Sequence, residues 1–289
     1  MDENSAISRA RQLLARYEIN ISPVDVLRIA GGEGYVVRES DKLGDKQAGQ
    51  TFTKAGQRYI IVNGNNHPHR RRFTIMHEVA HHVLGLPSVH GSDVPSDELE
   101  RFRSRPPEEV LCDVFAAECL IPWQLIQPLS DEHDFSIDTI TMLVDRFHAS
   151  RLCVASRFAQ ASASRLAYVV AEEGSIKYSV ASRSLRDAGV FIRTGVTLPL
   201  RSAADQAIRA GRNTAIADMD ASEWSHSDAA DRFSVHEEAI YQSTWGQTLS
   251  LLTFEEEVSM PRSNLDRNGE SEELLPELTG YLSWDKTKR

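Results

Sequence analysis

The stretch that most constrains this chain is FTIMHEVAHHVLG, which runs from Phe73 to Gly85. In a helix, His77 and His81 are one turn apart, so both imidazoles lie on one face and can bind a single metal ion. Glu78 lies beside that face and can accept a proton from a water molecule that the metal activates. The other positions are mostly apolar, which predicts a buried helix that ends at Gly85.

A metal site of this kind needs a third ligand, and the best candidate follows in EEVLCDVFAAECL, residues 108–120. The segment opens after two prolines with an acidic first turn, which predicts the start of a helix. Glu109 and Asp113 then share a face, so Glu109 can bind the metal while Asp113 orients a ligand histidine. Without such a partner, the two histidines would be an ordinary pair on a helix.

Other residues of the chain could also supply the third ligand. A third histidine six residues after His81 is excluded, because that position is Pro87. Glu108 and Glu118 stay open as weaker candidates, since Glu108 points elsewhere round the helix and Glu118 lies among core residues. The polar, proline-bearing segment 86–107 is predicted to be a loop or lid. It contains four further conceivable ligands, namely His90, Asp93, Glu98 and Glu100.

Cys112 has two interpretations. It follows Glu109 by three residues and so lies near the same face, where a thiolate would bind zinc and keep the site latent. Alternatively it is a small buried apolar residue. The distance of its sulfur from the metal separates the two cases. The chain has three cysteines and no CxxC pair, which indicates reduced thiols in a cytosolic protein.

Length and composition set outer limits. A chain of 289 residues predicts two domains, and 41% hydrophobic with 26% charged residues is typical of a globular protein. No apolar run reaches the length of a membrane span, and the start lacks a secretory signal, so a cytoplasmic protein without a membrane partner is expected. A net charge of −10 argues against a protein that coats DNA.

Hydrophobic periodicity predicts the elements around the motifs. Before the first motif they are a helix at 5–17, a second helix that Ser22 caps and that ends at Gly31–Gly32, and strands at 35–37, 50–53 and 59–62. Residues 136–160 predict two helices joined near 149–150, in the layout of a helix-turn-helix. Arg151 and Arg157 are candidates there for phosphate contacts, although a structural connector is the commoner role.

The last part of the chain predicts helices on one antiparallel sheet. Its expected elements are a hairpin of strands 166–170 and 176–181, a strand at 189–200, a helix at 203–210, a strand at 214–217, and a long strand or a pair within 236–254. From residue 261 the composition favours a surface segment that ends in a short helix.

The two motifs together resemble those of the ImmA/IrrE metallopeptidases, whose second motif matches Glu-x-x-Cys-Asp-x-Phe-Ala-Ala-Glu-x-Leu-Ile-Pro at 109–122. The family commonly has alanine where this chain has Cys112. The resemblance implies an α+β fold. It begins with a mostly helical, zincin-like peptidase domain with a small sheet (1–130), followed by a helix-turn-helix connector (131–163) and an α/β sensor-like domain that resembles GAF domains (164–289).

For function, the resemblance implies a hydrolase with zinc bound by His77, His81 and Glu109 and with Glu78 as the base. Its substrate would be a helix-turn-helix transcriptional repressor, cut at one site when DNA damage or infection activates the peptidase. The CapP branch of the family, which controls anti-phage operons, implies single-stranded DNA as an activator. The alternative is a DNA- or ligand-sensing regulator with a structural or vestigial zinc site, but a structural zinc has no use for Glu78.

Overall fold

The helix that carries the first motif packs on a small three-stranded sheet, and a larger sheet follows later in the chain. The computed structural model describes residues 1–44, 47–87 and 106–257. The helices are α1 (Glu3–Arg16), α2 (Val26–Gly32), α3 (Pro68–Leu84), α4 (Pro107–Leu120), α5 (Trp123–Glu132), α6 (Ile137–Phe147), α7 (Arg151–Ala161), α8 (Arg183–Asp187) and α9 (Ala203–Ala210). The strands are β1 (Tyr35–Ser40), β2 (Gly49–Lys54), β3 (Gln57–Asn63), β4 (Leu166–Glu172), β5 (Ser175–Ala181), β6 (Thr214–Asp220), β7 (Phe233–Gln242) and β8 (Gln247–Glu256). The fold is α+β, as predicted.

The first sheet has the order β1-β3-β2, with β3 parallel to β1 and antiparallel to β2. Within the described residues β2 pairs on one side only, which makes it an edge strand beside α3. A Cβ added to Gly49 would lie 2.5 Å from Cγ2 of Thr74 in α3. The glycine therefore lets the edge strand come close to the helix of the first motif.

Both motif helices end where their sequences predict, and α4 also begins there, but α3 begins at Pro68, five residues before the predicted stretch. Helix α3 ends before Gly85, whose φ of 67° is left-handed, and Pro107 is the first residue of α4. Both helices bury apolar side chains in one core with α1 and the first sheet. The arrangement holds the motif face of α3 against α4, because these two helices pack side by side.

Several element predictions were wrong in detail. Asp25, rather than Ser22, caps α2, since its carboxylate accepts a hydrogen bond of 3.0 Å from the amide of Arg28. Residues 189–200 form no named strand and make one isolated bridge, between Ser175 and Thr197. Helices α5 and α8 were missed. In α5 a proline at 128 lies inside the helix, and α8 is only five residues long.

The two helices at 136–160 are confirmed as α6 and α7, which Ser136 and Ser150 cap. Arg157, however, is buried and cannot reach a phosphate. Its Nη2 donates to Oε2 of Glu118 at 2.6 Å and to the carbonyl of Ile121 at 3.1 Å. The connecting role proposed for this helix pair fits Arg157, because the ion pair ties α7 to the end of α4.

The second sheet is antiparallel throughout and has the order β5-β4-β8-β7-β6. One face contributes to the core that the two motif helices share, and the other forms a second core with α9. Residues 1–256 form one compact unit around these two cores. Every helix in the described ranges is too short or too polar to cross a bilayer. The tail predicted from residue 261 lies outside the described residues.

Two neighbouring glutamates of β7 accept hydrogen bonds from the first turns of helices on opposite faces of this sheet. Glu237 is fully buried and accepts hydrogen bonds from the amides of Ala203 and Ala204 and from the hydroxyl of Ser250. Glu238 accepts one bond of 2.8 Å from the amide of Ile137, the first residue of α6. The pair therefore joins the sheet to both layers of helices.

Replacing Glu237 by alanine is expected to lower the free energy of unfolding by about 3 kcal/mol, because three buried donors lose their acceptor. Glu238→Ala is the matched control and should cost about 1 kcal/mol, the usual effect of one lost hydrogen bond, because Ser136 still caps α6. Urea unfolding of both variants and the wild type measures the difference. Equal decreases in the free energy of unfolding would contradict the larger structural role assigned to the buried carboxylate of Glu237.

Candidate metal centre

Helices α3 and α4 bring three potential ligands together. The ligand atoms of His77, His81 and Glu109 all lie within 4.8 Å of one another. Nε2 of His77 is 3.2 Å from Nε2 of His81 and 3.1 Å from Oε2 of Glu109, and Nε2 of His81 is 3.5 Å from Oε1 of Glu109. All three side chains are largely buried. Two histidines and one carboxylate are the protein ligands of many catalytic zinc ions.

The spacing of these atoms fits a tetrahedral metal. Ligands about 2.0–2.1 Å from one ion at tetrahedral angles are separated by roughly 3.3 Å. The distances of 3.1–3.5 Å lie near that value, with the two histidines facing different oxygens of the Glu109 carboxylate. A tetrahedral ion held by three protein atoms keeps one position open, as catalytic sites require. The donor set and its spacing therefore fit a zinc ion.

Asp113 supports His77 from the other side of the ring. Nδ1 of His77 donates to Oδ1 of Asp113 at 2.9 Å, which turns Nε2 toward Glu109 and His81. Burial alone lowers the pKa of His77, but the hydrogen bonds to Asp113 and Glu109 outweigh it and raise that pKa to about 9. The surroundings thus favour a positive charge at this place, and a metal cation can replace the proton.

Glu78 lies on the neighbouring face of α3, toward the sheet. Its side chain is 7% exposed, and its Oε2 accepts a hydrogen bond of 3.3 Å from Oγ1 of Thr51 in β2. The carboxylate is therefore held between the helix of the first motif and the edge strand. Thr51 could not be predicted from the sequence, since strand alternation does not tell which face of β2 meets the helix.

The remaining candidate ligands do not belong to this group. Cys112 is fully buried in the core, and its sulfur is not among the converging atoms. Glu118 instead accepts hydrogen bonds from Arg157 and Arg11. Glu108 is also outside the group. The four candidates of the loop, His90, Asp93, Glu98 and Glu100, lie outside the described residues.

Comparison with known families agrees with this geometry. Residues 30–159 match the family described as IrrE N-terminal-like domain, a peptidase family. The matched range includes both motif helices and the first sheet. Residues 30–159 are a metallopeptidase domain of the ImmA/IrrE family.

Two individual proteins extend the comparison. The Radiation response metalloprotease IrrE of Deinococcus deserti is 38% identical over 88 residues, which are 27% of this chain and 31% of that relative. The chain thus aligns with about a third of the length of this ImmA/IrrE relative. A solved Mycobacterium tuberculosis transcriptional regulator has a TM-score of 0.59 and 14% identity, and the match covers 86% of this chain and 76% of that one. At this identity the likeness concerns the fold alone.

Proposed function

We propose that the chain is a zinc-dependent, site-specific endopeptidase that cleaves a helix-turn-helix transcriptional repressor. The observation that carries the proposal is the convergence of His77, His81 and Glu109 beside a glutamate of the same helix. Family membership supports the metallopeptidase activity. The metal site and the roles of its residues are part of the proposal.

In this proposal each side chain has one task. His77, His81 and Glu109 would hold the zinc, which would supply Lewis acidity for a water molecule and for the scissile carbonyl. Glu78 accepts a proton from the attacking water and later donates it to the nitrogen of the leaving amine. Asp113 keeps the ring of His77 in the orientation that points Nε2 inward.

The edge strand suggests how the peptide lies. An extended substrate can pair with the side of β2 that no strand in the described ranges occupies, and so add a strand to the first sheet. Thr51 in this strand contacts Glu78, which brings a paired peptide close to the base. Main-chain pairing would provide affinity for any extended segment, while side-chain pockets would provide the choice of cleavage site.

The regulatory part of the proposal follows from the family resemblance. The substrate repressor controls a stress, DNA-damage or anti-phage response, and single-stranded DNA activates the peptidase. We keep the division into a peptidase domain (1–130), a helix-turn-helix connector (131–163) and a GAF-like sensor domain (164–289) as part of the same proposal. The sensor domain would receive the activating signal.

The direct test first looks for a gene of a small helix-turn-helix repressor beside the gene of this chain. The purified, zinc-loaded chain is then incubated with that repressor, with and without single-stranded DNA. We expect one cut in the repressor, detected by gel electrophoresis and located by mass spectrometry. EDTA should abolish the cut, and added zinc should restore it. If the repressor stays intact in every arm while zinc is bound, the alternative of a sensing module with a structural or vestigial site is the better account.

Thr51 provides a finer prediction about the base. Thr51→Val removes the hydroxyl that donates to Glu78 but keeps the shape, so kcat should fall about tenfold with KM little changed. Thr51→Ser keeps the hydroxyl and should restore most of the activity. Steady-state kinetics on one peptide substrate separates the two parameters. An equal loss in the serine variant would mean that packing, rather than the hydrogen bond, matters.

A further inference from the structure

Arg58 lies beside the metal-motif helix and has no part in the ligand group. Its Nη2 donates to the carbonyl of Glu33 at 2.5 Å, and its Nη1 lies 2.9 Å from Nδ1 and 2.8 Å from Nε2 of His82. The guanidinium also lies over the ring of Tyr35, 4.7 Å from the centroid, and that ring meets His82 edge-on. Three contacts therefore fix the orientation of this half-buried cation.

Arg58 forms no ion pair in the described part of the chain, and the nearby charge of Glu33, which also acts on Tyr35 and His82, is paired with Arg16. The nearest candidate, Glu33, gives Arg58 only its carbonyl. Its carboxylate accepts instead from Arg16 at 2.9 Å and from the hydroxyl of Tyr17 at 2.8 Å. Gly34 lets the guanidinium approach, since a Cβ there would lie 2.9 Å from Nη2. A half-buried arginine held in this way is suited to an anion from outside.

The sheet places this cation one helical turn from the candidate base. Thr51 of β2 contacts Glu78, and two residues on, Thr53 pairs with Arg58 of β3, which contacts His82. His82 follows Glu78 by four residues on α3. Two residues of strand and one turn of helix both advance about 5–7 Å. That offset corresponds to about two residues of an extended peptide.

We propose that Arg58, framed by Tyr35 and His82, binds a carboxylate side chain of the peptide substrate about two residues from the scissile bond. The contacts with His82 and Glu33 leave other N–H groups of the planar fork for a bidentate bond to a carboxylate. A phosphate, with about two charges, would call for more than one cation. The inference rests on the proposed peptidase function and names the class of substrate, an acidic segment.

A peptide-binding experiment tests the proposed carboxylate site at Arg58 without any cleavage of the peptide. The zinc-loaded Glu78→Gln chain is titrated with a fluorescein-labelled peptide of alternating glutamate and valine, and with its glutamine counterpart, by fluorescence anisotropy. We expect about tenfold tighter binding of the acidic peptide. Adding Arg58→Gln should remove this preference. Arg38→Gln is the matched control and should keep it, because Arg38 is an exposed arginine of β1 outside the cluster.

If a thermal melt shows that Arg58→Gln does not fold, Arg58→Lys replaces it in the binding experiment. The lysine keeps the charge but loses the fork, so the preference should shrink without vanishing. The inference would be overturned if the acidic and glutamine peptides bound equally well to the chain that keeps Arg58. It would also be overturned if the preference for the acidic peptide survived in Arg58→Gln.

Cleavage separates this inference from the proposed function. The active chain is offered an equimolar peptide mixture, and mass spectrometry locates the cuts. An enrichment of aspartate or glutamate near the cut that disappears with Arg58→Gln supports both ideas. Cleavage without enrichment overturns the carboxylate site alone. Arg58-dependent binding with no cleavage by the wild type overturns the peptidase while the carboxylate site stands.

Discussion

Glu78→Gln is expected to reduce peptide-bond cleavage by at least about a thousandfold while the chain keeps its fold and its zinc. Glutamine has nearly the shape of glutamate but cannot accept a proton from water, and general-base catalysis contributes roughly 10²–10⁴-fold. The zinc content should not change, because the proposed ligands are His77, His81 and Glu109. Single-turnover cleavage of the repressor and metal analysis by mass spectrometry measure the two effects.

The same variant separates the peptidase from a sensing module. Glu78 is 7% exposed and accepts a hydrogen bond from Thr51. Thr51 can still donate to the glutamine oxygen, so the free energy of unfolding should change by less than about 1 kcal/mol. Unchanged cleavage would remove Glu78 from the mechanism. Loss of zinc together with cleavage would point to a wider disturbance of the site.

The motif helices were predictable because their signals are local. The i, i+4 spacing of His77 and His81 and the two prolines before Glu108 depend only on neighbouring residues. The edge strand was not predictable in the same way. Whether β2 or β3 lies at the edge depends on pairing between strands, and the short sequence of each strand suits either position.

Contacts distant in sequence account for the other differences. The sequence makes Arg157 a candidate for phosphate contacts, yet in the structure it is buried by its ion pair with Glu118 of α4. Arg58 likewise meets His82, 24 residues away, only after the first sheet has formed. Residues 189–200 were predicted as a strand, but they meet the edge strand β5 only through a few backbone hydrogen bonds around Ile176 and one isolated bridge. The segment therefore closes the second core as irregular chain.

Glu109→Ala is expected to lower zinc affinity by more than about a hundredfold and to abolish cleavage. Removing a partner of a metal ligand usually costs roughly 10–100-fold in affinity, and removing the ligand itself should cost more. The variant leaves two histidines on one helix and no ligand from α4. Competition with a fluorescent zinc chelator measures the affinity, and the repressor assay measures the activity.

Glu108→Ala is the matched control for this change. Glu108 is the preceding residue of the same helix, has the same charge and lies outside the group of converging ligand atoms. Its removal should leave zinc affinity within about twofold, because any effect acts only through screened charge. If both variants lost zinc equally, the summed negative charge of the first turn of α4, rather than one ligand, would explain zinc binding. A loss confined to Glu109 assigns the third ligand to one carboxylate.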